Sequence, residues 1–238
     1  MTAPAVAGIS AELAADLAGA SLTLAQRFSK GATLWSIAPA FAPHAQHIAV
    51  EFAHPVIVGK KALRAVALTG PDLIAEVRVS ARPDDVVIAV AAAADCEVRA
   101  VMRRAPAWGV TTIWIGNGER PEPGAADHVL WLDDPDPRLP TNGDFVLVYH
   151  LLWELTHVCF EHPGLLRSPP GECTDEVCVT CSDEGRLGEV LQVCADGTAA
   201  VRTSVGTETV LTALTGPLAG GDLVLVHAGM AIGKVSED

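Results

Sequence analysis

The sequence predicts an α/β protein: a doubly wound parallel five-stranded sheet, followed by a small all-β barrel of OB-like character. Three observations predict it. Short apolar runs alternate with helical stretches up to about Leu166, the pattern of a parallel sheet buried on both faces. A stretch from His162-Pro163 to Asp175, centred on Pro169-Pro170-Gly171, then interrupts the pattern, and prolines keep such a segment stiff and extended. From Val177 the apolar period becomes two, with glycine turns and no room for helices. These divide the chain into an α/β domain (1–166), a Pro-rich linker (167–176) and a barrel (177–238).

The elements follow in order. Ser10 is placed to cap an Ala/Leu-rich helix running towards Lys30. Strands are expected at 33–38, 65–69, 85–90, 111–115 and 128–132. The clearest unit is the strand at 85–90, a helix over 95–108, Gly109 as its stop and the next strand. A helix from 143 to about 161 closes the domain, after the Pro/Asp loop 133–140. In such a sheet, ligands bind beyond the carboxyl ends of the strands. The barrel reads as a strand at 188–193, a tight turn at 195–198 and a return at 199–204. Gly206 sits in a second turn before a strand at 209–214, and the last strand is 222–227. About 60 residues is marginal for a free-standing domain, so the barrel is expected to dock on the first domain or on a partner.

Composition excludes several functions. With 16 basic against 29 acidic residues and a formal net charge of −13, the chain repels phosphate backbones and anionic lipid, so no nucleic acid or membrane surface is expected as partner. No apolar stretch reaches the roughly 18 residues of a membrane span. Residues 1–9 lack the basic flank and apolar core of a signal peptide, and a cytoplasmic location is expected. The cysteines are then free thiols rather than structural disulfides. Five of the six fall within 36 positions, from Cys159 to Cys194, which calls for a chemical reason.

Ala45-Gln46-His47-Ile48-Ala49-Val50-Glu51-Phe52 resembles the start of the second helix in SIS-domain phosphoheptose isomerases, a resemblance covering about the first 160 residues. Members with isomerase activity carry a His and a Glu four apart on that helix, and a Gln and a His eight apart on the last helix. Those four residues can hold zinc. The resemblance implies a zinc or other divalent-metal site at His47, Glu51, Asn142 and His150, with Glu51 and His150 as catalytic groups. Residues four apart do share one helix face, and imidazole with carboxylate suits zinc. A desolvated Glu can also move a proton between adjacent sugar carbons. The same spacing equally describes the surface of an ordinary amphipathic helix, and His150 lies in an apolar run where a lone His is often a core residue. Two departures bear on substrate. Where active members grip phosphate with a Ser/Thr-rich turn, this chain has Ala91-Ala92-Ala93-Ala94-Asp95-Cys96. The Gly-rich loop before the second helix is replaced by Ser36-Ile37-Ala38-Pro39-Ala40-Phe41-Ala42-Pro43. Each lost hydrogen bond to a charged group is worth about 1.5–3 kcal/mol, so sugar-phosphate binding is expected to be lost. SIS domains also build oligomers, which implies a dimer or tetramer.

Gly221-Asp222-Leu223-Val224-Leu225-Val226-His227-Ala228-Gly229-Met230-Ala231-Ile232 resembles the closing strand of the small β-barrel chaperones of nickel–iron hydrogenase assembly (the HypC/HupF family). In that family a thiolate preceding the barrel helps carry an iron centre. Here Cys178-Val179-Thr180-Cys181 leads into the first strand, and thiolate is a strong soft ligand for iron. The resemblance implies Cys181, then Cys178, as iron ligands, with His227 completing a site from across the barrel. His227 reads equally as a satisfied barrel-end histidine, and Cys194 as a strand residue facing the core. Unlike the family's, this cysteine is internal, and no helix follows the barrel. Together the resemblances imply an accessory factor of hydrogenase maturation, with maturation proteins or the large-subunit precursor as partners. The alternative is a metal-dependent sugar isomerase or lyase using His47, Glu51 and His150.

Overall fold

The computed structural model describes residues 9–132, 143–166 and 185–235. Strands β1 (Leu34–Ile37), β2 (Ala65–Leu68), β3 (Val86–Val90), β4 (Thr111–Asn117) and β5 (His128–Leu132) form one parallel sheet in the order β2-β1-β3-β4-β5. The expected doubly wound sheet is therefore present. Side chains alternate across β3: Val86, Ile88 and Val90 face one layer, Val87 and Ala89 the other. The first layer holds α1 (Ala11–Ser29), α2 (Ala42–Ala53) and α5 (Gly143–Glu161); the second holds α3 (Leu73–Ser80) and α4 (Cys96–Arg104).

Local chemistry explains the helix ends. Ser10 Oγ accepts from Leu13 N at 3.1 Å, the expected N-cap, and Leu13, Leu17, Ala20, Leu24 and Phe28 form the buried stripe of α1. The expected helix over 95–108 is shorter. Asp95 lies outside it as the N-cap, and Pro106 cannot donate an interior amide, so the chain tightens into a 3₁₀ turn at Ala105–Trp108. Gly109, at φ 74°, ends that turn as expected. Among the described residues, no helix is long and apolar enough to cross a membrane.

β4 passes to β5 through loop 118–127, without a helix. On the α4 side the sheet is covered by Trp114 and Trp131, edge-on at 6.1 Å, and Gly116 makes room for Trp131. A Cβ on Gly116 would stand 2.4 Å from the Trp131 ring and 2.6 Å from Ala91 O. Gly116→Ala is expected to cost about 1–3 kcal/mol through overpacking. Urea unfolding should show a lower midpoint at an unchanged slope.

The second unit is a closed five-stranded barrel, ordered β10-β8-β7-β6-β9. Its strands are β6 (Arg186–Val193), β7 (Thr198–Thr203), β8 (Gly206–Leu211), β9 (Leu223–His227) and β10 (Met230–Lys234). Two strand readings need correction. β8 begins at Gly206 itself, because the chain reverses within two residues after Thr203. β9 is not the last strand: Ala228 (φ 48°) and Gly229 (φ 76°) are two successive positive-φ residues, the signature of a two-residue primed hairpin, and they return the chain as β10. Cys194 is exposed, not core-facing, because the strand ends at Val193 and the chain turns there.

The barrel core is small: Val190, Ala199, Val201, Val210, Val224, Val226 and Ala231. It is completed by docking, as its size predicts. Leu223, Leu187 and Val235 join the α4-side core, and Glu189, 2% exposed, is buried at the junction. Trp108 Nε1 donates to Glu189 Oε2 at 2.9 Å, Arg78 Nε lies 3.0 Å from the same oxygen, and Arg104 Nη1 lies 3.8 Å from Oε1. Arg104 also donates to Gly221 O at 2.7 Å, and Arg202 donates to Arg78 O at 3.1 Å. Burial is the main influence lowering the Arg202 pKa; Arg78 adds to it and Glu189 opposes it.

Candidate metal centre

α2 and α5 are held against the sheet by Ala45, Ile48 and Phe52 on one and Phe145, Val148 and Leu152 on the other. These anchors leave His47 and Glu51, one turn apart, on the seam facing α5, where Tyr149 and His150 stand opposite. His47 Nε2 lies 3.1 Å from His150 Nε2, and Glu51 Oε2 lies 3.9 Å from both. The three ligand atoms are within 4.8 Å of one another. Two nitrogens bound to a tetrahedral zinc at about 2.0–2.1 Å sit about 3.3 Å apart, so the imidazoles need shift only slightly. The side chains of His47 and His150 are 41% and 43% exposed and that of Glu51 is 18% exposed, so His150 is not a core residue. The seam is reachable from solvent, and three protein ligands leave a position for water or substrate.

Beneath this trio lies a phenol that the sequence reading passed over. Tyr149, 1% exposed and the chain's one tyrosine, places its hydroxyl 2.9 Å from His47 Nδ1 and 3.5 Å from Nδ1 of buried His44. The available signal was the spacing of His44, His47 and Glu51 along one helix face, together with a Tyr preceding His150. Burial, and secondarily Glu51, pushes the phenol up to about 12 from its ordinary value of 10.0. The unfolded chain therefore gives up this proton first. The stabilisation is intact below about pH 10 and is lost as pH rises through about 12. Absorbance at the tyrosinate band in chelator-treated protein should show ionisation near the upper value; a midpoint near the ordinary one would contradict the packing.

Other expected site residues fall elsewhere. Asn142, Cys178 and Cys181 lie outside the described residues, as does the linker. His227 ends β9 opposite Met230 and is not among the three converging ligands. Cys159 is buried in α5, and burial pushes its thiol up, away from thiolate chemistry.

The Ala-rich turn after β3 ends on Asp95, the N-cap of α4. Asp95 Oδ1 accepts from Val98 N at 3.0 Å, and Glu97 Oε1 accepts from Leu73 N at 2.9 Å. Asp95 takes an amide at the start of α4 and Glu97 the first amide of α3, and each adds negative charge there. Ala92, Ala93 and Ala94 instead border a cleft of about 780 Å³, lined also by Arg99, Trp114 and the barrel's Leu187. This cleft opens on the α4 side and contains none of the trio, so its size does not make it the chemical centre.

The five-stranded parallel sheet flanked by helices is SIS-like in fold, with the His/Glu/His seam on one face and the barrel docked on the other. Among solved structures it is similar to a phosphoheptose isomerase from Francisella tularensis, with a TM-score of 0.52 and 15% sequence identity over 62% of this chain and 86% of that one. At that identity the likeness is one of fold. No protein-family model matches the chain, and no curated protein matches it.

Proposed function

We propose that this chain is a cytoplasmic accessory factor of nickel–iron hydrogenase maturation, in which the SIS-like unit serves as a platform and no longer isomerises sugar phosphates. The observation that carries it is the barrel. The Gly221–Ile232 segment that resembles the hydrogenase chaperones forms a strand, a two-residue hairpin and the strand that closes the barrel. In this reading Cys181 and Cys178 present thiolates to iron, His227 assists from the end of β9, and the barrel engages maturation proteins or the large-subunit precursor. Cys181→Ala should then lower nickel–iron hydrogenase activity in the host cell; unchanged activity would overturn the assignment. Asp95, which caps α4 at the turn after β3, supports the loss of sugar-phosphate binding. Calorimetry with a heptose or hexose phosphate is expected to show no heat of binding beyond dilution.

The trio favours a second reading, a metal-assisted isomerase or lyase acting on a substrate without phosphate. A zinc or similar ion held by His47, Glu51 and His150 would polarise a carbonyl oxygen. Glu51, the least exposed of the three, would move the proton. Metal analysis of anaerobically purified protein separates the readings. Iron lost only in Cys181→Ala supports the maturation factor; zinc lost only in His47→Ala supports the enzyme. Either reading includes a homo-oligomer, dimer or tetramer, which light scattering would measure.

A further inference from the structure

We propose that Tyr149 and His44 are positioning residues that set the tautomer of His47, and thereby decide whether the seam accepts a metal. The inference rests on the reading of His47, Glu51 and His150 as a metal site. A neutral imidazole has one nitrogen that donates and one that accepts, so the partner of one nitrogen dictates the role of the other. His47 has a partner on each side: Tyr149 Oη at 2.9 Å from Nδ1 and His150 Nε2 at 3.1 Å from Nε2. A phenol can donate or accept, and the two choices give different sites.

If Tyr149 donates to His47 Nδ1, the His47 proton sits on Nε2 and is shared with His150. No lone pair is then offered to a cation. If His47 Nδ1 donates to Tyr149, the hydroxyl hydrogen turns towards His44 Nδ1, 3.5 Å away, and His47 Nε2 is left as a ligand beside Glu51 and His150. The second arrangement is a directed chain from His47 through Tyr149 to His44. It moves one proton between the nitrogens of His47 and needs no displacement of either helix. His44 is anchored for this role. It is buried, and its ring packs edge-on against Phe41, Phe145 and Tyr149 at 5.3, 5.8 and 6.0 Å between centroids. Tyr149 is likewise edge-on to His47 at 5.2 Å, so neither partner is free to swing away. Groups that orient a ligating histidine in this way typically govern metal affinity by about 10–100-fold.

The test is a cobalt(II) titration of the full chain followed by visible absorption, paired with long-range proton–nitrogen NMR of the metal-free protein. The wild type should bind cobalt and show His47 protonated at Nδ1. Tyr149→Phe, which keeps the ring and its packing, should weaken cobalt binding by about 10–100-fold and leave His47 as a mixture of tautomers. His44→Asn places an amide oxygen near the former Nδ1 and should retain most of the affinity, whereas His44→Leu should lose it severalfold. That pair carries the test if Tyr149→Phe does not fold. Equal affinity and an unchanged tautomer in Tyr149→Phe and His44→Leu would overturn the relay and leave the metal site standing. A wild type that binds no cobalt would overturn both.

Discussion

Replacing Glu189 by alanine is expected to cost about 3–5 kcal/mol, the usual penalty for removing one partner of a buried ion pair. Glu189 is 2% exposed and serves Trp108 Nε1, Arg78 and Arg104 together. Alanine leaves the buried indole N–H of Trp108 without its acceptor and removes the carboxylate beside Arg78 and Arg104, and the orphaned N–H carries its own desolvation cost. For a chain of this size that loss corresponds to a fall in melting temperature of roughly 6–20 °C. The node joins the barrel to the α/β unit, so the barrel strands should become protease-sensitive before the sheet does. Glu189→Gln keeps an acceptor for Trp108 and should fall between wild type and alanine. If the alanine variant melts within a degree or two of wild type, the two units are not held together by this node.

The second large effect follows from the proposed metal site at His47, Glu51 and His150. His47→Ala and His150→Ala should each remove stoichiometric zinc binding under conditions where the wild type is loaded. Structural zinc sites with four ligands bind with about 10–16 kcal/mol, so one ligand accounts for about 2.5–4 kcal/mol, or a factor on the order of 10²–10³. Glu51→Gln should weaken binding less, because an amide oxygen still fits the gap but carries no charge. Binding should also fall as the medium is acidified, since imidazole ligates only when neutral. Competition against a colorimetric chelator measures all three variants. Unchanged zinc affinity in both histidine variants would mean that the seam is only a polar contact between two helices.

Much of this arrangement was legible in the chain. β3 and β4 are short, apolar and β-branched, and such runs between helical stretches fit nothing but a buried parallel sheet. His47 and Glu51 could be paired because four-residue spacing on a helix is a fixed geometry. The fold break before the barrel was equally plain, because prolines and a change of apolar period coincide. The readings that needed correction lie where two local rules compete. Pro106 cuts short an otherwise helical pattern, and Ala228 takes a left-handed conformation that its side chain does not advertise. The missed residues, Tyr149 and His44, are 105 positions apart and meet only because α2 and α5 pack side by side.

What the sequence by itself determined is therefore most of the elements, their periodicity, the division into two units and the helix face carrying His47 and Glu51. All of these follow from interactions between residues a few positions apart. Only the tertiary structure decided that His150 turns to the seam and not the core, that Glu97 reaches across to the first amide of α3, and that Glu189 is buried against three cationic side chains. Each depends on which surfaces pack together across long chain separations. Spacing along a chain can place a residue on a face, but burial and partnership are properties of what that face is pressed against.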